Sequence, residues 1–524
     1  MDHWCKQPAA YANLSAAEWK ELAVPLGEDG TYSRCSMRDP PEPSNISSRV
    51  VPCTAWDYNL TQYGTNAVSE WNLVCDRRWL VPFAEFVYHA INVVWLPVTG
   101  NVADGVGRQT VAYVLAVALL VAGFASTLTS SFVVFVTLRI VVSSTSTSLL
   151  VVTFVLLYEV CTHKRRFLFW TLATGLPSFA IPIVFSAADV YRLSFTTMHL
   201  VLMVPTMLLV FIVYTVDESP AWLLGVSRTK NAEKVALRAS CMNRVPFNEF
   251  REAFRSQLRS IRRGFRVYAD GDNFTFCSPP FRVRAFLILF VWAATLFSVN
   301  VTITASPRIG VYATWASLLG AMPAYVTTYL IVLCVGVKWT GVASALTYSL
   351  SAAALAVTYT TDETVLGAVL VVASRLAFNT TALVAHFLAA SLFPTTVRCT
   401  AVSFAVATGK LAAAVAVVSV KLLSPQRWDL AHYAVSVVMA FACIATEWLP
   451  VTTARAPKQK SCEAHPGPDE VGGVALHQRI RASPVALPKE KVHRKHHSEV
   501  ERDVVPEKHA SRQSRRSSTS SVAH

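Results

Sequence analysis

Stretches of about twenty apolar residues, the length that crosses ~30 Å of hydrocarbon at 1.5 Å per residue, recur along this chain. They fall near 81–100, 110–129, 132–157, 167–187, 194–214, 283–303, 312–335, 341–359, 364–390, 400–423 and 429–450. Eleven membrane-spanning helices are predicted, five before and six after a polar segment at 215–282, with further polar segments at 1–79 and 452–524. A composition of 53% hydrophobic and only 15% charged residues excludes an ordinary soluble domain and predicts an all-α, multi-pass membrane protein.

Basic residues sort the loops into two kinds, as they do when cytosolic loops retain lysine and arginine. Arg108, Lys164-Arg165-Arg166, the stretch from Arg228 to Arg284, Lys338, Arg398 and the C-terminal tail fall on one side. Thr361-Asp362-Glu363 and scattered residues such as Arg192, Arg308 and Arg427 fall on the other. An odd number of spans then puts the N-terminal region outside the cell and the tail in the cytosol. The tail has few apolar groups to bury, so it reads as disordered, basic and attracted to anionic membrane lipids. These loops and the tail account for the net charge of +14, which gives no ground for a nucleic-acid partner.

Four of the eleven cysteines, Cys5, Cys35, Cys53 and Cys75, lie in residues 1–79. The sequons at Asn13, Asn45 and Asn59 lie there too, which predicts a glycosylated, disulfide-containing extracellular domain whose three possible pairings stay open. Nothing in the first 80 residues is apolar enough to carry such a domain across a membrane. Either the first predicted helix acts as a signal anchor for its own N-terminal flank or a span precedes Met1, and the second is the expectation.

Five spans, a long loop and six spans fall one short of the six-plus-six plan of major facilitator transporters. Gly100-Asn101-Val102-Ala103-Asp104-Gly105-Val106-Gly107-Arg108-Gln109 is similar to that superfamily's loop motif, in which glycines allow a tight turn and the aspartate caps a helix and pairs with basic groups. Gly105 and Gln109 stand where basic residues are usual, which predicts a loosened latch. A further set resembles the organic cation and organic anion transporter family, which is solute carrier family 22-like. It comprises Cys53-Thr54-Ala55-Trp56-Asp57-Tyr58, Glu70-Trp71-Asn72-Leu73-Val74-Cys75-Asp76, and Arg139 with Tyr158-Glu159 and Arg166. Asp217-Glu218-Ser219-Pro220-Ala221-Trp222-Leu223-Leu224 and Leu392-Phe393-Pro394-Thr395-Thr396-Val397-Arg398 complete it, in order over nearly the whole chain.

The resemblance implies a major facilitator fold of twelve spans, eleven of them visible here, in halves 80–214 and 283–451 around a cytosolic loop. It implies an ectodomain between the first and second spans, and a central cavity opened alternately to either side. It implies no enzyme chemistry, metal or cofactor. Lys410, twelve residues after Arg398 and mid-way along an apolar run, matches the family position that tends to be acidic in cation carriers and basic in anion carriers. A fixed charge in a low-dielectric cavity attracts its opposite and repels its like. Arg375 matches a position that looks basic in both branches. Glu85 and His89, four apart on one helix face, are candidate substrate or helix-contact groups, and His386 is a helix-contact residue.

Asp104, Arg108, Arg139, Glu159, Arg166, Asp217, Glu218 and Arg398 are read as gating charges at cytosolic helix ends. Lys230-Asn231-Ala232-Glu233-Lys234-Val235-Ala236-Leu237-Arg238 is read as a helix bracing the halves. Ser391, Ala221, Ser143 and the loop Cys334-Val335-Gly336-Val337-Lys338-Trp339 depart from the family pattern, mostly by removing charge partners. The expectation is a plasma-membrane carrier of small organic ions, with anions favoured through Lys410. The alternatives are a cation or carnitine-like zwitterion carrier with Glu85 as compensating charge, and a non-transporting receptor or scaffold.

Overall fold

The computed structural model describes residues 2–27, 30–41, 49–59, 65–268, 279–304, 310–361, 364–422 and 427–450. Asn45, Arg308, Asp362-Glu363 and the tail 452–524 lie outside them.

The N-terminal segment builds a small domain from short elements. Strand β1 (His3–Cys5) pairs antiparallel with β4 (Trp56–Tyr58), and β2 (Ser36–Asp39) with β3 (Arg49–Pro52). Helix α1 (Ala16–Ala23) starts on a capping box in which the Ser15 hydroxyl accepts from the Glu18 N–H and the Glu18 carboxylate accepts from the Ser15 N–H. Trp19 of α1 is fully buried and donates its indole N–H to the Cys5 carbonyl at 2.9 Å. Disulfides join Cys5 to Cys53 and Cys35 to Cys75, closing loops of 48 and 40 residues. Asn13 is exposed, and Asn59 is half-buried beside the end of β4.

A domain this small has little core beyond Trp19 and a few aliphatic residues, so the cross-links carry much of its stability. A Cys35→Ser exchange is expected to cost about 2–5 kcal/mol. The measurement is the fraction of full-length protein reaching the cell surface, which should fall several-fold.

After α2 (Ala67–Glu70), five long helices follow: α3 (Leu80–Val106), α4 (Arg108–Leu128), α5 (Phe132–Val160), α6 (His163–Val190) and α7 (Phe195–Thr215). Three shorter or polar helices intervene: α8 (Pro220–Gly225), α9 (Thr229–Met242) and α10 (Phe247–Tyr268). Six long ones complete the bundle: α11 (Pro279–Thr304), α12 (Gly310–Val335), α13 (Val337–Thr361), α14 (Thr364–Leu392), α15 (Arg398–Leu422) and α16 (Trp428–Trp448). Ten of the long helices are long and apolar enough to cross a membrane among the described residues. In the remaining one, α12, the apolar run counted is the shorter Pro323–Val335.

Several helices outrun the apolar stretches that predict them, because backbone hydrogen bonding continues until something breaks it. The break between α3 and α4 is Gly107, whose φ of +132° is a conformation other residues rarely adopt. The small domain is docked on the first half through Trp71. Its indole N–H donates to the Ser130 carbonyl at 2.9 Å, and its ring lies 4.4 Å from Phe135 and 5.6 Å from Phe195.

The largest buried core runs through both halves, and α3 and α15 pass along each other within it. They approach so closely at Gly100 that a Cβ there would lie 2.9 Å from the Cys399 carbonyl and would overlap the Ser403 hydroxyl. A Gly100→Leu exchange must wedge the two helices apart. Overpacking of this kind costs about 1–3 kcal/mol, so the purified protein should melt several degrees lower, as read by a thermal-shift assay in detergent.

Hydroxyl pairs stitch the second half together. Thr302 with Tyr348, Ser351 with Ser374 and Thr381 with Ser344 bridge neighbouring helices at 2.9–3.1 Å. Helix α9 packs on α8 and α10. Gly225 of α8 lies beside Thr395 and Thr396 of the second half. Helix α8 thus meets both halves, the first through Trp222 at Asp104 and the second through Gly225.

Candidate functional site

At the end of the bundle where α3 stops and α15 begins, four charged side chains interlock in the interior. Arg108 is fully buried. Its Nη2 donates to Asp104 Oδ1 at 2.8 Å, to Glu159 Oε1 at 3.4 Å and to the Thr395 carbonyl. Arg398 donates from Nη1 to the same Glu159 oxygen at 3.0 Å and from Nε to the Ala390 carbonyl at 2.8 Å. Two cations and two anions balance, as buried charges must if they are not to remain uncompensated.

Asp104 has a second task. It accepts from the Thr400 N–H at 2.8 Å, the Thr400 hydroxyl at 2.7 Å and the Cys399 N–H at 3.3 Å, so a carboxylate on α3 caps the N-terminus of α15 in the other half. The latch is closed, contrary to the loosening predicted from Gly105 and Gln109. Those positions are peripheral: Gly105 has open space about it, and Gln109 contributes its backbone N–H, which donates to Glu218 Oε2 at 3.0 Å. Glu218 thereby caps α4. Trp222 locks the corner, donating its indole N–H to the Asp104 carbonyl at 2.8 Å with Arg108 5.3 Å from its ring.

The other predicted gating residues divide. Arg166 lies at this end, donating to the Cys161 carbonyl at 2.9 Å and lying 4.5 Å from the Tyr158 ring. Asp217 makes an exposed ion pair with Arg238 at 2.5 Å. Arg139 does not belong to the set. It stands twenty residues before Glu159 on α5, which is about 30 Å of helix, and meets His199 at 3.5 Å with Phe135 beside it. A match to a sequence motif ignores helical rise, so it places Arg139 with residues at the opposite end of α5.

Two departures from the family pattern have local explanations. Ser143 accepts a hydrogen bond from Asn92 at 3.1 Å and donates to the Tyr88 carbonyl at 3.3 Å, so a polar contact joins α3 to α5. Ser391 turns its hydroxyl back to the Leu388 carbonyl of its own helix.

The second group of charges lies deeper. Lys410 is twelve residues along α15 from Arg398, about 18 Å by helical rise. It follows Gly409, where α15 presses on α11: a Cβ there would lie 2.7 Å from Leu296 and 3.2 Å from the Trp292 carbonyl. The lysine is half-buried, and His89 of α3 lies near it. Arg375 of α14 is also half-buried, with Tyr348 near it. Among the described residues, no acidic side chain pairs with either cation. Glu85 is exposed at the start of α3, one turn before the half-buried His89.

His386 sits between the halves among aromatic rings that sequence reading did not group. Phe154 and Trp170 come from the first half and Trp292 from the second, with centroids 5.6, 5.1 and 4.3 Å away. No short-range signal brings those four together, because they stand on four different helices.

Residues 88–457 match the sequence profile of the sugar (and other) transporter family. The chain belongs to that family. Its curated relatives are solute carrier 22 transporters and their kin. The beta-alanine transporter of Drosophila melanogaster is 26% identical over 444 residues, 77% of this chain and 72% of that protein. Solute carrier family 22 member 7 of Mus musculus is 25% identical over 445 residues, 79% and 80% respectively. Member 16 of Homo sapiens is 24% identical over 437 residues, 79% and 74%.

Among solved structures, the proton:xylose symporter bound to 6-bromo-6-deoxy-D-glucose superposes with a TM-score of 0.57 at 15% identity, over 73% of this chain and 89% of that one. The inward-open xylose transporter from E. coli gives 0.53 at 16% identity, over 76% and 91%. The fold is that of the major facilitator superfamily, and this transporter is a multi-pass membrane protein rather than an enzyme.

Proposed function

We propose that this transporter carries small organic anions across the plasma membrane by alternating access, with Lys410 as the residue that selects their charge. The observation that carries the reading is the charge balance inside the bundle. Asp104 and Glu159 are both consumed by Arg108 and Arg398 at one end, which leaves Lys410 and Arg375 without acidic partners among the described residues. An uncompensated cation in a membrane interior is costly, and a bound anion relieves that cost. His89 beside Lys410 supplies a hydrogen-bonding group for the same ligand.

In this reading residues 1–79 are extracellular and glycosylated at Asn13, Asn45 and Asn59, and the tail 452–524 is cytosolic. The interlock around Asp104 is then the cytosolic gate. Arg166 and Glu218 support it, Asp217 anchors α9 beside it, and switching must break the Asp104 contacts to α15.

A zwitterion is the second reading, favoured by the 26% identity to a beta-alanine transporter. In it Lys410 takes the carboxylate and Glu85, exposed at the mouth of α3, faces the ammonium. A receptor or scaffold without transport rests on the loss of gate charges at Ala221 and Ser391. Asp104, Arg108, Glu159 and Arg398 still interlock across the two halves, which weakens that reading.

The test is uptake by cells expressing the full-length protein, with surface protein quantified, of labelled carboxylates, sulfonates, amino acids and quaternary amines. Saturable uptake of carboxylates or sulfonates supports the proposal. Uptake confined to amino acids favours the zwitterion. Surface protein that moves nothing in the panel favours the receptor.

A further inference from the structure

Helix α10 carries an apolar stripe and a basic stripe side by side. Phe247, Phe250, Phe254 and Leu258 recur on one face, and Arg251, Arg255 and Arg259 on the next. The sequence continues the basic spacing through Arg262 and Arg266. Over Phe247–Tyr268 there are six arginines, no lysine and two glutamates, a net charge of +4. Phe250 and Phe254 are buried against Trp222 and Leu223 of α8 and Ala232 of α9. Phe247 remains 54% exposed, so the protein covers only part of the apolar stripe.

Among the described residues, no acidic side chain explains Arg251, Arg255 and Arg259. Arg251, Arg255 and Arg259 are exposed, and none forms an ion pair with a carboxylate among the described residues. The nearest interactions are with the helix itself: Arg251 lies 6.0 Å from the Phe247 ring, and Arg259 Nε donates to the Arg255 carbonyl at 3.4 Å.

The location narrows what they meet. Four residues separate α7 from α8, and the next span begins at Arg282, so both flanks of α10 are tied to one membrane face. A basic amphipathic helix held there is suited to a negatively charged leaflet. Guanidinium forks bind phosphate in bidentate fashion, which the absence of lysine favours.

We propose that the arginine stripe of α10 binds the anionic phospholipid headgroups of the adjoining leaflet, and that this contact bears on the latch. The coupling follows from α8. Phe250 and Phe254 rest on Trp222, which donates to the Asp104 carbonyl, and Gly225 at the end of α8 adjoins Thr395 and Thr396 of the other half. A leaflet that holds α10 therefore steadies the element that clamps Asp104. The proposal holds whatever the transporter carries.

The experiment uses the full-length protein in nanodiscs of phosphatidylcholine alone and of phosphatidylcholine with 30% phosphatidylserine, followed by hydrogen-exchange mass spectrometry. Peptides from α10 are expected to exchange at least tenfold more slowly with phosphatidylserine present, and 0.5 M NaCl should remove that protection. The variant with Arg251→Gln, Arg255→Gln and Arg259→Gln should lose it, and the matching lysine variant should keep most of it. Unchanged exchange of α8 peptides in phosphatidylcholine shows that the variants fold. If they do not, the salt titration of the native protein decides alone.

Equal exchange in the two lipids, or protection that survives 0.5 M NaCl, overturns the proposal. So does protection that appears only on adding an acidic protein such as calmodulin, which would assign the stripe to a protein partner instead.

Discussion

An Asp104→Asn protein is expected to expose Cys399 to aqueous thiol reagents at least tenfold faster than the native protein. Cys399 is fully buried in the first turn of α15, and its backbone N–H donates to Asp104. Asparagine preserves the volume and one acceptor oxygen but removes the charge. Arg108 and Arg398 are then left sharing Glu159, two cations on one anion in a dry interior. Removing one partner of a buried ion pair costs about 3–5 kcal/mol, and that penalty applies only while the helices stay together. Separation admits water, so the equilibrium moves towards the open arrangement.

The measurement is the maleimide labelling rate of Cys399 in a protein whose other non-disulfide cysteines are serine. Thr400→Ala provides the graded comparison. It removes only the hydroxyl contact to Asp104, a loss of about 1 kcal/mol, and should raise the rate several-fold at most. A rate for Asp104→Asn equal to the native one would show that the interlock does not hold the two halves together.

The spans are legible in the sequence because a bilayer imposes one length and one composition on each of them. The small N-terminal domain is not. Its strands are three or four residues long, too short for alternation to register, and its order rests on Trp19 and two disulfides whose pairing has no local signature.

The latch shows both outcomes. Asp104, Arg108, Glu159 and Arg398 can be picked out as charges at helix ends, and they do meet. Thr400 goes unnoticed because one of its contacts is a backbone N–H at a helix start, which any residue there could offer, and a single threonine hydroxyl gives no sign in the sequence of the carboxylate it meets. Arg139 misleads for the opposite reason: its motif is recognisable, but twenty residues of helix carry it away from its supposed partners. Gln109 looks like a lost charge and turns out to serve through its main chain. Residue identity at a motif position is thus a weaker guide than the atom that position contributes.

Lys410→Asp is expected to cut uptake of organic anions at least a hundredfold, with surface protein unchanged, and to admit organic cations. At about 5 Å and an effective dielectric constant near 20, one unit charge contributes ~3 kcal/mol to a ligand of opposite sign. Inverting it replaces that attraction with repulsion of similar size, so a hundredfold change is a conservative estimate. Lys410→Arg keeps the charge and should retain most of the uptake. Lys410→Gln should fall between, because it removes attraction without adding repulsion.

The comparison with Arg375→Gln separates selection from general potential. Arg375 lies fifteen residues along α14 from Ala390, the carbonyl that accepts from Arg398, about 22 Å by helical rise, and its loss should weaken anion uptake without admitting cations. If instead Lys410→Asp leaves the ratio of anion to cation uptake unchanged, the lysine only balances charge within the fold. The zwitterion reading predicts a third pattern: Lys410→Asp abolishes amino-acid uptake and gains no cation, because the carboxylate site is lost while the ammonium site at Glu85 has nothing to hold it in register.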